Sequence, residues 1–169
     1  MSSNRFLTAI NGMRELVTAI ATSAGAGDAN KIVMTDGSGK LDTTLMPVGI
    51  GADTLSIQAG ENLAAGDFVN LYDDTGARVQ KADGSNTRPA HGFVLAAVTS
   101  GQNATVYLSG RNTQLSGLTP GTRYYLSASA AGGATATAPN ASGEILQYLG
   151  TADSASSLQF EDNSYIAIA

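Results

Sequence analysis

The chain has 169 residues, no cysteine or tryptophan, 6% aromatic and 14% charged residues, and a formal net charge of −5. The missing cysteine removes thiol catalysis, Fe–S clusters and thiolate zinc sites. Its basic residues are spread singly from Arg5 to Arg123, with no stripe or cluster for neutralising phosphates, so nucleic acid is not an expected partner.

Several further expectations come from composition. A typical soluble domain carries about 25% charged residues. Here small neutral side chains fill the gap, and a surface of that kind suits permanent close contact with neighbours, since little side-chain entropy is lost in covering it. A domain of this length buries roughly 68–70% of its unfolded surface, so disulfides are not needed. No run approaches the ~18 apolar residues that span a bilayer, and no charged segment followed by an apolar core opens the chain. The expectation is a protein made and kept in a cytosol-like compartment, with no membrane partner. Asn103-Ala-Thr105 and Asn140-Ala-Ser142 then read as chance glycosylation sequons.

The first predicted element is a helix over 1–24. Phe6, Ile10, Met13, Val17 and Ile20 recur at spacings of four, three, four and three, the seam of a heptad. Ser2 or Ser3 can cap its start and Gly25-Ala-Gly27 can end it. A helix of this length is marginal alone in water, so its stripe must be covered, by its own domain, by copies of itself or by a neighbour. These five residues are the candidate partner or oligomer interface.

An extended arm follows over 25–54. Asn30–Thr35 reads as a short strand, Asp36-Gly-Ser-Gly39 as a turn and Lys40–Pro47 as one helical turn stopped by proline, with 48–51 extended. The run from Asp36 to Asp42 invites a calcium reading. It lacks the ligand ladder and closing Glu of an EF-hand loop, and reads as a turn. Gly39-Lys40 lacks the other residues of a phosphate loop.

From 55 to 169 the chain reads as short strands, at 55–59, 68–72, 77–81, 92–97, 105–109, 123–127, 134–137, 145–150, 157–161 and 165–168. Ala104, Val106 and Leu108 alternate with Thr105, Tyr107 and Ser109, the period of a half-buried strand. After Gly110 a short strand leads to the Gly117-Leu-Thr-Pro-Gly121 turn, where Pro120 presets φ and Gly121 can take positive φ. Turns every 8–12 residues point to an antiparallel barrel or sandwich, and no helix of crossover length makes room for βαβ units. The fold expected is mainly β: an antiparallel β-barrel or sandwich with an N-terminal α-helix and an extended arm.

Catalytic constellations are scarce. His91 is the only histidine, beside Pro89 and Gly92, and reads as a surface or turn residue rather than a base. No Gly-x-Ser-x-Gly elbow occurs before a helix. Asp73-Asp74 and Glu161-Asp162 sit in turn sequences, whereas glycosidase carboxylates face each other across a cleft. Tyr107, Tyr124 and Tyr125 could form a sugar-stacking patch, but alternating sheet tyrosines read first as core or interface fillers. No catalytic residue, cofactor or metal site is expected.

In its last two-thirds the chain resembles the small β-barrel decoration (cement, or head-stabilising) proteins of tailed-bacteriophage capsids. The resemblance lies in Ala65-Gly-Asp-Phe-Val69, Gly92-Phe-Val-Leu-Ala96 with Ser100-Gly101, Ala104-Thr-Val-Tyr-Leu-Ser-Gly110, the stretch from Gly117 to Leu126, and Ile145-Leu-Gln-Tyr-Leu-Gly150. The arm, with Asp36–Asp42 and Leu45-Met-Pro-Val-Gly-Ile-Gly51, is similar to a junction in phage fibre and head-decoration proteins. The resemblance implies a virion protein without enzymatic activity, made in the host cytoplasm and placed on the capsid surface. It would bind the major capsid protein, form a homotrimer and cement neighbouring capsomers. The long N-terminal helix departs from compact decoration proteins and leaves open a fibre or tail-associated protein with a glycan- or receptor-binding β-domain.

Overall fold

The computed structural model describes residues 5–10, 13–46 and 52–169. It divides into two compact units, Met1–Gly51 and Ala52–Ala169.

The N-terminal unit corrects the expected helix. Residues Arg5–Ile10 (β1) and Met13–Thr18 (β2) are antiparallel strands, with Phe6 opposite Val17, Leu7 opposite Leu16 and Ile10 opposite Met13. The sequence between them is Asn11-Gly12, the dipeptide most favoured in two-residue hairpin loops. A glycine inside a helix costs about 1 kcal/mol relative to alanine, and the β-branched Thr8, Ile10, Val17 and Thr18 favour strands. The register sets 6 opposite 17 and 10 opposite 13, so the residues that imitate a heptad seam are also cross-strand partners. The Ser2 or Ser3 cap lies outside the described residues, and Gly25 precedes a one-turn 3₁₀ helix, Ala26–Asp28, instead of ending an α-helix.

In the arm, the strand expected at Asn30–Thr35 reduces to a single bridge between Ile20 and Val33. The helical turn expected before Pro47 is a 3₁₀ turn, Thr43–Leu45, while the extended reading of 48–51 lies outside the described residues.

In the C-terminal unit, Thr54–Ala59 (β3), Phe68–Asp73 (β4), Ala77–Lys81 (β5), Gly92–Val94 (β6) and Asn103–Tyr107 (β7) close a five-stranded barrel in the order β3-β5-β4-β6-β7. All its seams are antiparallel except β3–β5, where Gln58 and Ala59 run parallel to Arg78 and Val79. The expected antiparallel barrel thus has one parallel seam, made without a crossover helix because β4 lies between the two strands in sequence. The strand expected at 92–97 stops at Val94, and the chain regains a partner at Val98, which bridges Leu63.

A second sheet contains Gly110–Asn112 (β8), Arg123–Leu126 (β9), Ala134–Thr135 (β10), Ile145–Ala152 (β11) and Leu158–Phe160 (β12), in the order β10-β9-β11-β12-β8. Tyr165–Ala167 (β13) pairs with the first half of β11. The Pro-Gly turn ahead of β9 forms as its sequence requires: Gly121 takes φ 79°, and the N–H of Thr122 reaches the carbonyl of Thr119 at 3.1 Å.

Strand alternation separates two cores. Ile57, Ala59, Val69, Val79, Val94, Ala104 and Val106 fill the barrel with Leu63, small and β-branched side chains that suit a narrow interior. Their neighbours Phe68 and Phe93 turn to the other face of the barrel wall and meet Leu126, Ile145, Leu149, Leu158 and Phe160 of the second sheet. Phe68, Phe93 and Phe160 form an aromatic triangle with centroids 5.6–6.4 Å apart. Burying each such ring contributes about 1.5–3 kcal/mol, so this cluster holds the barrel against the second sheet.

Candidate interaction surfaces

The five candidate interface residues fall on the hairpin and its exit. Four become register partners, Phe6 with Val17 and Ile10 with Met13, and Ile20 bridges Val33. Phe6 is 46% exposed, while Val17 and Ile20 are half-buried. The structure adds a pair that the helix reading left off the seam: Leu7 and Leu16, directly opposite each other, are 65% and 59% exposed. Adjacent residues in a strand point to opposite faces, so apolar side chains occupy both sides of the hairpin. Alternation about Asn11-Gly12 is the signal that would have found them.

Asp36 and Asp42 of the arm are occupied by nearby backbone and hydroxyl groups. Asp36 Oδ1 accepts from the N–H groups of Ser38 and Lys40, each at 2.9 Å, and from Ser38 Oγ at 2.7 Å. The Lys40 N–H and then the Ser38 groups hold Asp36 below the ordinary carboxylate range. Asp42 caps the 3₁₀ turn, accepting from Thr44 Oγ1 at 2.6 Å and its N–H at 2.9 Å, and is lowered by the same contacts. This is turn chemistry. Among the described residues no group of three or more His, Asp or Glu side chains is arranged to hold a metal ion.

His91 lies beside β4, where Nδ1 accepts the N–H of Leu71 at 3.0 Å. It shares an open depression with Asp53, Leu71, Leu108 and Asp162. Nδ1 therefore serves the backbone, and only Nε2 remains for another partner. Asp73 accepts the Gly76 N–H at 3.0 Å in the β4–β5 hairpin, and Asp74 lies 3.9 Å from Arg78, so this carboxylate pair belongs to a turn.

The three tyrosines singled out in the sequence do not share a patch. Tyr124 is buried, with its hydroxyl accepting the Thr119 N–H at 2.9 Å. Tyr107 stacks on Phe93 at 5.4 Å. Tyr125, on the opposite face from Tyr124, instead meets Tyr148 at 6.0 Å, and the Arg123 guanidinium lies 5.9 Å from the centre of the Tyr148 ring. Tyr148 Oη is 2.7 Å from Thr151 Oγ1. Arg123 and Tyr148 were not singled out in the sequence. Their sheet positions carry that signal only once β9 and β11 are known to be neighbours.

Among the described residues no helix is long and apolar enough to cross a membrane. No family model, curated protein or solved structure matches the chain.

Proposed function

We propose that this chain is a non-enzymatic virion structural protein that binds the outside of a phage capsid as a homotrimer and cements neighbouring capsomers. The observation that carries this reading is the hairpin of β1 and β2, which exposes Phe6 on one face and Leu7 with Leu16 on the other. A two-stranded hairpin is at best marginal alone in water. One with apolar side chains on both faces needs surfaces from a neighbour, and a capsid supplies many identical neighbours at fixed spacing. The low charge supports the reading, since close contact over a wide area then costs little desolvation. The phrases that resemble decoration proteins lie in the β-unit, and the arm gives reach.

The test is co-sedimentation of the full chain with undecorated capsids of the phage that encodes it. Saturation at a fixed copy number per capsid is expected. The Leu7→Asp, Leu16→Asp variant should bind weakly while its β-unit stays folded, as should Ile10→Asp, Val17→Asp. No co-sedimentation of the parent chain would sink the reading.

A second reading, a fibre or tail-associated protein that binds a glycan or receptor, is favoured by the Arg123, Tyr125 and Tyr148 cluster. An aromatic pair with a cation beside it is a stacking platform with a polar handle. Glycan-array binding that disappears in Tyr148→Ala supports it, and a silent array counts against it.

A further inference from the structure

We propose that the outer edge of β1 in one copy pairs with the open edge of β13 in a second copy, so that each hairpin extends its neighbour's sheet. The inference rests on the homo-oligomer half of the proposed function and names the contact that forms it.

Among the described residues β13 pairs with β11 alone. All three of its residues are exposed, Tyr165 at 46% and Ile166 at 64%. Ile168 gives its N–H to Glu144 at 2.9 Å, so by antiparallel alternation Ala167 turns its N–H away from β11. Proteins usually blunt such an edge with Lys, Pro, a bulge or a covering loop. Asn163-Ser-Tyr-Ile-Ala-Ile-Ala169 contains no Lys or Pro and is mainly apolar. An edge of this kind accepts an added strand through main-chain hydrogen bonds.

β1 offers the matching element. Among the described residues it pairs with β2 alone, whereas the chain beyond β2 already has a neighbour at Val33 through Ile20. A third strand is what a hairpin needs for stability. The charges are complementary on balance: exposed Arg5 and Arg14 lie on the hairpin with one carboxylate, Glu15, while Glu161 and Asp162 precede β13, and Glu144, whose carboxylate accepts the Asn140 and Ala141 N–H groups, sits opposite Ile168. Opposite charges at facing surfaces fix register and suppress wrong partners. Ile20 bridges Val33 and the Ser23 N–H reaches Thr44 Oγ1 at 2.8 Å, so the reach comes from the stretch between Thr44 and Thr54, up to about 30 Å when extended and still beyond the ~13 Å radius of gyration of a 100-residue domain. The hairpin can therefore reach another copy. A head-to-tail contact of this type closes into a ring if the rotation permits, which fits a trimer.

The natural absence of cysteine gives a direct test on the full chain. Leu7→Cys and Ile166→Cys chains, both altered at exposed positions, are mixed and treated with a short bismaleimide. A heterotypic Leu7→Cys to Ile166→Cys cross-link is expected, mapped by peptide mass spectrometry. Ala167→Pro in the Ile166→Cys chain removes the outward N–H and should abolish the cross-link without lowering the melting temperature of the β-unit. Light scattering on the unmodified chain separates the two levels of the argument. An oligomer without the heterotypic cross-link, or a cross-link that survives Ala167→Pro, overturns the strand pairing and leaves self-assembly standing. A monomer with no heterotypic cross-link overturns both.

Discussion

The side-chain amide of Gln147 binds the backbone of Ala90 in both directions: Oε1 accepts the Ala90 N–H at 2.7 Å and Nε2 donates to its carbonyl at 2.8 Å. Both residues are buried. Gln147 lies in β11 of the second sheet and Ala90 in the loop that enters β6 of the barrel, so one side chain acts as a strand partner between the two sheets. Its Nε2 also reaches the Asn163 carbonyl at 3.0 Å, just before β13.

Replacing Gln147 with leucine, of similar volume, leaves both Ala90 backbone groups buried without partners. Each such group costs about 1–3 kcal/mol, so a loss of roughly 2–6 kcal/mol is expected in urea unfolding. Gln147→Glu should cost at least as much while ionised, because its buried carboxylate still accepts the N–H but faces the Ala90 and Asn163 carbonyls with no proton to donate. Equal midpoints for parent and Gln147→Leu would contradict this account.

Much of the β-unit was legible in the sequence because alternation and turn residues are local signals. Strands such as 55–59, 77–81 and 165–168 needed only their own side chains and flanking turns. The parallel β3–β5 seam was not legible, since pairing Ala59 with Val79 is decided by barrel closure and not by either strand. Nor was the role of Gln147, whose partner at Ala90 is far away in the chain. The buried Asn112 is similar, because its Nδ2 donates to the Gly66 carbonyl at 2.8 Å. The hairpin is hidden in the sequence because Phe6, Ile10, Met13 and Val17 satisfy two geometries at once. Asn11-Gly12 is the sequence signal that separates the two, and a two-residue signal is weak beside a five-residue stripe. The stripe residues share the hairpin with Leu7 and Leu16, which lie off the heptad pattern.

Phe160 tests the junction of the two cores. Its ring lies 5.6 Å from Phe68 and 5.8 Å from Phe93, and it is fully buried. Phe160→Ala opens a cavity between barrel and sheet and should cost about 3–5 kcal/mol. If barrel and sheet unfold as one unit, fluorescence and far-ultraviolet circular dichroism should give coincident transitions for this variant. Two separated transitions would mean that the barrel folds without the sheet.

Gly150 marks the irregularity where β11 shifts register against β9. Its φ of 148° is rare for residues with a side chain, and an added Cβ would fall 1.9 Å from the Gln159 carbonyl oxygen. Strain and backbone displacement together should cost Gly150→Ala roughly 2–5 kcal/mol. Gly143→Ala is a useful control, since its φ of 86° is also positive but an added Cβ meets nothing within 4 Å. The control should lose no more than about 1–2 kcal/mol from backbone conformation alone. Similar losses in both would show that conformation, and not contact with Gln159, dominates at Gly150.

Asp83 gives a pH-dependent prediction with a definite sign. Burial pushes its carboxyl up, but hydrogen bonds from the Ser85 N–H at 2.9 Å and Ser85 Oγ at 2.8 Å outweigh it, and Arg88 adds a contact at 2.9 Å. The net shift is downward, so the folded state favours the ionised form. The resulting stability is fully present above the unfolded value of about 3.9 and disappears as pH falls through the lower folded value. Asp83→Ala should therefore destabilise by about 1–2 kcal/mol at pH 7, where the turn bonds and the Arg88 pair are lost together. In acid the parent's advantage shrinks, because its carboxyl is protonated as well. Urea midpoints of parent and variant should stay apart above the unfolded value of about 3.9 and converge as pH falls below it through the lower folded value, and a gap that stayed constant into acid would remove charge from the explanation.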